Sequence, residues 1–481
     1  MPELAAVRKA LDAHGQSHLL RFYDELPPAS QSALLEQLAS LDLEHLDTLV
    51  GKYVRNRPAP EMPKTIEPPE ILPARPDGKL AQHYAQARSK GLELIAAGKV
   101  AAFVVAGGQG TRLGYEGPKG CLEATPVARK PLFQVFAEQI LAASRRSGAA
   151  VPWYIMTSPA NDVVTRAFFR QHNYFGLNPK DVVFLVQGQM PAIAHSGRVL
   201  LASKDSLALS PNGHGGSLLA LSKSGALKDM ARRGVEFISY FQVDNPLVRC
   251  VDPLFIGLHA SAGAEMSAKV LPKRDPLEKL GNVCVGDGKT IVIEYSDMPE
   301  ELARQCAPDG RLKFSAGSIA IHVFSRTFVE RLTASGNLDL PYHRADKKVP
   351  YVDDSGQLIK PQEPNAVKLE MFVFDALPLA KRTVILETIR SEEFSPIKNS
   401  AGEDSLTSSL HDQVRRAAAW LELAGIKAPR DADGQIAAAI EISPLYADSA
   451  EELASKIDKK LVIGTGQPLY IGSRGVTGGL K

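Results

Sequence analysis

The chain has 481 residues, 44% hydrophobic and 23% charged, with 56 basic side chains against 54 acidic ones and a formal net charge of +2. That length predicts two or three domains, and so even a balance excludes a global field for nucleic acid, leaving any anion site to be local. Four scattered cysteines without a CxxC pair, a charged N-terminus (MPELAAVRKALDAHG) and no apolar run of the roughly 18 residues a membrane span needs predict a cytoplasmic globular protein with neither zinc ribbon nor anchor.

Residues 1–50 predict helices, since Leu4, Val7 and Leu11, then Leu34, Leu35 and Leu38, recur at helical spacing. A proline-rich crossing segment follows over 55–77, then a helix at about 79–97. The first clear strand is Val100–Val105. Further strands are expected at 152–157, 182–186 and 235–243, with a helix at 161–172 introduced by Ser158 and Asn161. Alternating strands and helices argue a largely parallel sheet covered on both faces. Stretches at 265–270, 290–295 and 318–323 predict additional, partly antiparallel strands, and a helix near 406–424 precedes short strands and a glycine-rich end. The expected division is 1–97, helical with the crossing segment; 98–400, the main α/β domain; and 401–481, a small C-terminal domain.

The most informative stretch is FVVAGGQGTRLGYEGPKG at 103–120. Glycine lets the backbone turn tightly and present N–H groups to phosphate oxygens, and Gly107, Gly108, Gly110 and Gly114 directly follow a strand. A dinucleotide fingerprint fails because Leu113 stands where its third glycine belongs. A Walker A loop fails because Lys119 lies between Pro118 and Gly120. What remains is a triphosphate cradle in which Arg112 can fork onto phosphate oxygens and Lys119 can add a point charge. Asp244, at the expected end of a strand, stands where ligands collect in open α/β sheets.

With these residues on the page, the segment resembles the signature of the UDP-sugar pyrophosphorylases, and within them the eukaryotic-type UDP-N-acetylhexosamine pyrophosphorylases. The similarity runs from GQSHLLRFYDEL at 15–26 to EEFSPIKN at 392–399. Between them lie YFGL at 174–177, VQGQMPAI at 186–193, NGHGG at 212–216, VDNPLV at 243–248, IEYSD at 293–297, VPYVDDSGQLIKP at 349–361 and VKLEMFVFD at 367–375. The resemblance implies an α/β fold, a central Rossmann-like (GT-A-like) mixed sheet flanked by an N-terminal helical region and a small C-terminal domain. It implies a uridylyltransferase that makes a UDP-sugar and pyrophosphate from UTP and a sugar-1-phosphate, with N-acetylglucosamine-1-phosphate the first expectation and Mg²⁺ the cofactor.

Carried over position by position, Ala106, Gly107, Gly108, Arg112 and Lys119 would handle the triphosphate, Gln187 and Gly213 would read the uracil edge, and Asp244 would hold Mg²⁺. Gly281, Glu294 and Tyr295 would meet the sugar, and Lys368 and Lys398 would neutralise phosphates. Two positions depart from the hexosamine pattern, where asparagines stand in place of His214 and Ser318; both resemble sugar-contact sites. A UDP-glucose or broad-specificity enzyme, and a non-catalytic nucleotide-sugar sensor on the same fold, therefore stay open, as does a monomer or a weak dimer. The histidines His172, His195, His259 and His322 lack metal-ligand spacing and are assigned no role.

Overall fold

The computed structural model describes residues 2–56 and 62–477; within the proline-rich segment residues 57–61, and within the glycine-rich tail residues 478–481, lie outside it. The chain packs as two compact units, each drawn from three stretches: Met1–Pro63, Gln187–Ser217 and Asp339–Asp375 in one, and Lys64–Val186, Leu218–Leu338 and Ala376–Lys481 in the other.

The larger unit is organised by a ten-stranded mixed sheet. Its strands are β1 (Ile66–Glu67), β2 (Val100–Val105), β3 (Trp153–Thr157), β4 (Val182–Val186), β5 (Phe237–Gln242), β6 (Met266–Pro272), β7 (Asn282–Gly286), β8 (Lys289–Ile293), β9 (Ala316–Ser325) and β10 (Thr383–Glu387). The order is β1-β7-β9-β5-β2-β3-β4, with β8 beside β7, and β6 between β9 and β10. Strands β5, β2, β3 and β4 run parallel. Their near-continuous apolar sequences, VAAFVV and WYIMT, suit strands covered on both faces. The antiparallel β9 joins them to the rest.

Helices Gly78–Ala96, Leu132–Ser147, Asp162–Gln171 and Pro253–Ser261 supply side chains such as Tyr84, Phe133, Phe169 and Phe255 to the core around Val104, Trp153 and Phe241. Two strand expectations are corrected. The strand expected at 290–295 ends at Ile293, because the Glu294 carbonyl turns to accept from the N–H groups of Asp297 and Met298. The one expected at 235–243 is shorter, so Asp244 stands just beyond it. The last stretch of this unit builds its own small core from Trp420, Leu421, Ile440, Leu453, Leu469 and Ile471. A buried Lys130–Glu138 pair (2.7 Å), with Glu441 at 3.5 Å and the Ser443 hydroxyl donating to Glu138 at 2.7 Å, ties it to the helix Leu132–Ser147.

In the smaller unit, helices Leu4–Ala13, Pro28–Ala39 and Leu43–Leu49 pack their apolar faces on short strands including Ile193–Ala194, Leu201–Ser203 and Ala366–Met371. Leu11, Leu34, Ile193, Val199 and Leu369 share that core. Among the described residues, no helix is long and apolar enough to cross a membrane.

Helices Gly78–Ala96 and Pro253–Ser261 cross backbone to backbone. A β-carbon on Gly91 would lie 1.8 Å from the Pro253 carbonyl oxygen, and one on Gly257 would lie 1.7 Å from that of Ala87. Gly91→Ala should therefore destabilise the protein by about 2 kcal/mol, although alanine gains about 1 kcal/mol of helix propensity. A urea unfolding midpoint equal to or above wild type would contradict this close approach.

Candidate active site

The parallel strands end in line, Gln242 beside Val105, Val105 beside Met156, and Thr157 beside Val186. The loops that leave β2, β4 and β5 at this edge carry candidate residues. The Ala106 N–H extends the ladder to the Met156 carbonyl (2.8 Å), after which the chain departs into the glycine-rich loop. That loop folds back on itself: the Gly110 N–H donates to the Gly117 carbonyl (2.9 Å) and the Lys119 N–H to the Gly108 carbonyl (3.1 Å). Gly114 closes the turn at φ +73°, and a β-carbon on Gly110 would meet the Tyr115 ring at 2.7 Å. Nothing would meet one on Gly108 within 4 Å, so its glycine leaves open space on the exposed side of the loop. Arg112 is exposed in the short turn Thr111–Leu113.

Asn161, read from sequence only as a helix start, anchors this loop. It is 1% exposed. Its Oδ1 accepts from the Ser158 N–H (2.8 Å), and its Nδ2 donates to the Ala106 carbonyl at 3.0 Å and reaches the Gly108 carbonyl at 3.5 Å. One carboxamide thus fastens the departure point of the cradle to the next loop.

Asp244, Lys119 and Lys398 meet through one peptide. The Ile397 N–H donates to the Asp244 carbonyl (2.8 Å), and the Ile397 carbonyl accepts from Lys119 Nζ (3.3 Å). Lys398 follows directly, its N–H bonded to the Asp404 carbonyl at 2.6 Å. The Asp404 carboxyl is raised above its ordinary value by burial, pulled back by Lys398 and pushed up again by Asp244, so these charges face one another. Asn245 stands next to Asp244. Its buried side chain accepts from Leu247 N–H (3.2 Å) and Ser395 N–H (3.0 Å) and donates to the Glu393 carbonyl (2.7 Å), binding the end of β5 to the segment that carries Lys398.

A second group lies on β7–β9. The Ser318 N–H donates to the Gly281 carbonyl (2.8 Å), and a β-carbon on Gly281 would sit 3.3 Å from Glu294 Oε1. Gly281, Glu294 and Ser318 are thus neighbours. Tyr295 is 45% exposed.

The smaller unit holds the remaining candidates. Gln187 follows β4 directly, and its Nε2 donates to the Gly213 carbonyl (2.7 Å), so its own carbonyl oxygen is the group left to accept. Gly213 adopts φ +82°, and a β-carbon there would strike the Met371 carbonyl at 2.3 Å, a close approach only glycine permits. The His214 Nδ1 accepts from the Val373 N–H (3.1 Å), which places the neutral ring's proton on Nε2. The ring stacks on Phe372 (5.1 Å, 8°), itself stacked on His343 (4.1 Å, 21°). Lys368 alternates with buried Val367 and Leu369 along Ala366–Met371. His259 and His322 are buried beside Ser267, and burial holds their pKa values down to about 3 and about 4.

Among the described residues no group of three or more His, Cys, Asp or Glu side chains could cage a metal ion.

A family model described as UTP–glucose-1-phosphate uridylyltransferase matches residues 46–420. The chain is 40% identical over 476 residues to the human UDP-N-acetylhexosamine pyrophosphorylase-like protein 1, covering 93% of each. It is 34% identical over 473 residues to UDP-N-acetylglucosamine diphosphorylase 1 of Arabidopsis thaliana, covering 94% of this chain and 90% of that one. The crystal structure of the uridine diphosphate N-acetylglucosamine pyrophosphorylase from Trypanosoma brucei in complex with an inhibitor matches with a TM-score of 0.78 at 25% identity, over 95% of both chains. The glycine-rich loop and its partners therefore stand in a uridylyltransferase, and the chain belongs to the UTP–glucose-1-phosphate uridylyltransferase family, that of the UDP-sugar pyrophosphorylases.

Proposed function

We propose that the protein joins UTP to N-acetylglucosamine-1-phosphate, releasing pyrophosphate and forming UDP-N-acetylglucosamine. The observation that carries the reading is the Ile397 peptide, which gathers Lys119, Asp244 and Lys398 at the strand ends beside the glycine-rich loop. The names of the human and Arabidopsis relatives support the hexosamine phosphate.

The chemistry asks for positioning and charge neutralisation. With a second phosphate pKa near about 6, the sugar-phosphate oxygen is ionised at neutral pH and needs no general base. It attacks the α-phosphorus of UTP in line; the new P–O bond forms as the bond to the β-phosphate oxygen breaks, and pyrophosphate leaves. In our reading the backbone of Ala106–Gly108 with Arg112 and Lys119 cradles the triphosphate, and Lys398 with Lys368 meets the sugar phosphate. The Gln187 carbonyl oxygen is an acceptor of the kind a uracil N3–H requires, and Gly213 supplies backbone beside it. Gly281, Glu294, Tyr295 and Ser318 form the sugar side, and His214 stands where the hexosamine pattern has an amide. Mg²⁺ held by Asp244 would neutralise charge on the phosphates. Three buried, unpaired thiols, Cys121, Cys250 and Cys284, support a reducing compartment such as the cytoplasm.

Lys119→Ala and Arg112→Ala should each lower turnover by roughly 10²–10³, read as pyrophosphate release, and Asp244→Ala should abolish the response to magnesium. Wild-type turnover in either cation variant would remove this mechanism. Asn161→Ala strands the buried Ala106 carbonyl, costing about 1–3 kcal/mol in denaturant unfolding, and should raise KM for UTP; an unchanged KM would separate the clamp from the cradle.

The substrate itself is tested by a panel: UTP with the 1-phosphates of N-acetylglucosamine, N-acetylgalactosamine, glucose and galactose. The highest kcat/KM is expected for N-acetylglucosamine-1-phosphate. Preference for glucose-1-phosphate would shift the reading to a UDP-glucose enzyme, the alternative that His214 and Ser318 favour, and binding of UTP without turnover on any of the four would make the protein a sensor.

A further inference from the structure

The helix Leu406–Leu423 buries two faces of different chemistry. Ala417, Ala418 and Leu421 enter the small C-terminal core. Ser409, Asp412, Gln413, Arg416 and Trp420 recur at the three- and four-residue spacing that forms one stripe. A polar stripe turned inward needs partners, and these are found on three separate segments.

Gln413 Nε2 donates to the Ala124 carbonyl at 2.7 Å. Arg416 Nη1 donates both to the Leu247 carbonyl (3.2 Å) and to the Glu392 carbonyl (3.0 Å). Trp420 Nε1 donates to the Glu392 carboxylate at 3.0 Å. The Ser409 hydroxyl donates to the Ser395 carbonyl (2.9 Å), and Asp412 accepts from the Ser395 hydroxyl (2.6 Å). Ala124 lies shortly after Lys119, Leu247 shortly after Asp244, and Glu392 and Ser395 shortly before Lys398. The helix therefore holds a backbone carbonyl on each of the three segments whose charges the transfer reaction uses, and on the last of them the Glu392 and Ser395 side chains as well.

We propose that Arg416 is a positioning residue for this reaction: by bridging the Leu247 and Glu392 carbonyls it sets the spacing between Asp244 and Lys398. A guanidinium is suited to the task because it stays charged while desolvated; burial pulls Arg416 down to about 10, with Glu392 and Glu393 opposing, so at neutral pH both bonds remain charge-assisted. None of the candidate site residues lies on this helix, so the effect travels through the peptide chain. The inference rests on the uridylyl transfer proposed above.

The experiment compares wild type with Arg416→Met, Arg416→Lys and Ser409→Ala in steady-state kinetics, magnesium titration and thermal unfolding. Arg416→Met should lower kcat at least tenfold while KM for UTP stays within about twofold, and should raise the magnesium concentration for half-activation. Arg416→Lys, which can still donate to both carbonyls, should recover a large part of the lost kcat. If Arg416→Met does not fold, Ser409→Ala, which deletes one hydroxyl, carries the test with an expected kcat loss of about threefold at unchanged KM. Folded variants that keep wild-type kcat and magnesium response, whatever their melting temperature, would make the helix a brace only and overturn the proposal. A wild type inactive on every sugar phosphate would overturn the transfer reading and this inference with it, an outcome distinct from active, insensitive variants.

Discussion

Lys269 lies 1% exposed on β6, with its ammonium 2.6 Å from the Asp252 carboxylate and 2.5 Å from that of Glu393. Burial would raise the Asp252 carboxyl, yet Lys269 and Arg249 hold it below the usual carboxylate range. Asp252 also caps the helix Pro253–Ser261, accepting from Leu254 N–H at 3.0 Å. Glu393 begins the run that reaches Ile397 and Lys398. One buried charge thus fixes a strand, a crossing helix and the segment whose Ile397 peptide gathers Lys119 and Asp244. Removing one member of such a group is far more costly than any surface pair, on the order of 3–5 kcal/mol, because the others stay buried and unmatched.

Where a segment has its own periodicity or composition, the sequence was sufficient. The strands Val100–Val105 and Val182–Val186 are uninterrupted apolar runs, and the helix Leu406–Leu423 alternates faces clearly. Pro253–Ser261 escaped for the opposite reason: PLFIGLHAS is apolar all round, as a helix buried on several sides must be, and carries no stripe to detect. Strand β10 escaped because it is short, and its pairing with β6 joins residues more than a hundred positions apart. The glycine loop was readable as a tight turn directly after a strand, since glycine spacing is local chemistry. Asn161 was readable only as a helix start and Asn245 carried no signal, because what they hold is contributed by segments that sequence distance hides.

The two candidate regions also differ in how their chemistry is written. Cations near phosphates act through charge, so residue type nearly defines the role. A sugar is read by single hydrogen bonds, whose direction depends on details finer than residue type. Reaction class is therefore legible at a distance at which sugar identity is not.

The composition of the smaller unit sets an order of events during synthesis. Its first stretch, Met1–Pro63, emerges from the ribosome early, but Leu34 and Leu38 share their core with Val367 and Leu369 near its end. At 5–20 residues per second the roughly 300 intervening residues take on the order of 15–60 s. For that interval the N-terminal helices lack Val367 and Leu369, although Ile193, Val199 and Leu201 of the same core are made midway. The core of this unit is completed only when synthesis has passed Leu369, after most strands of the large sheet have been made.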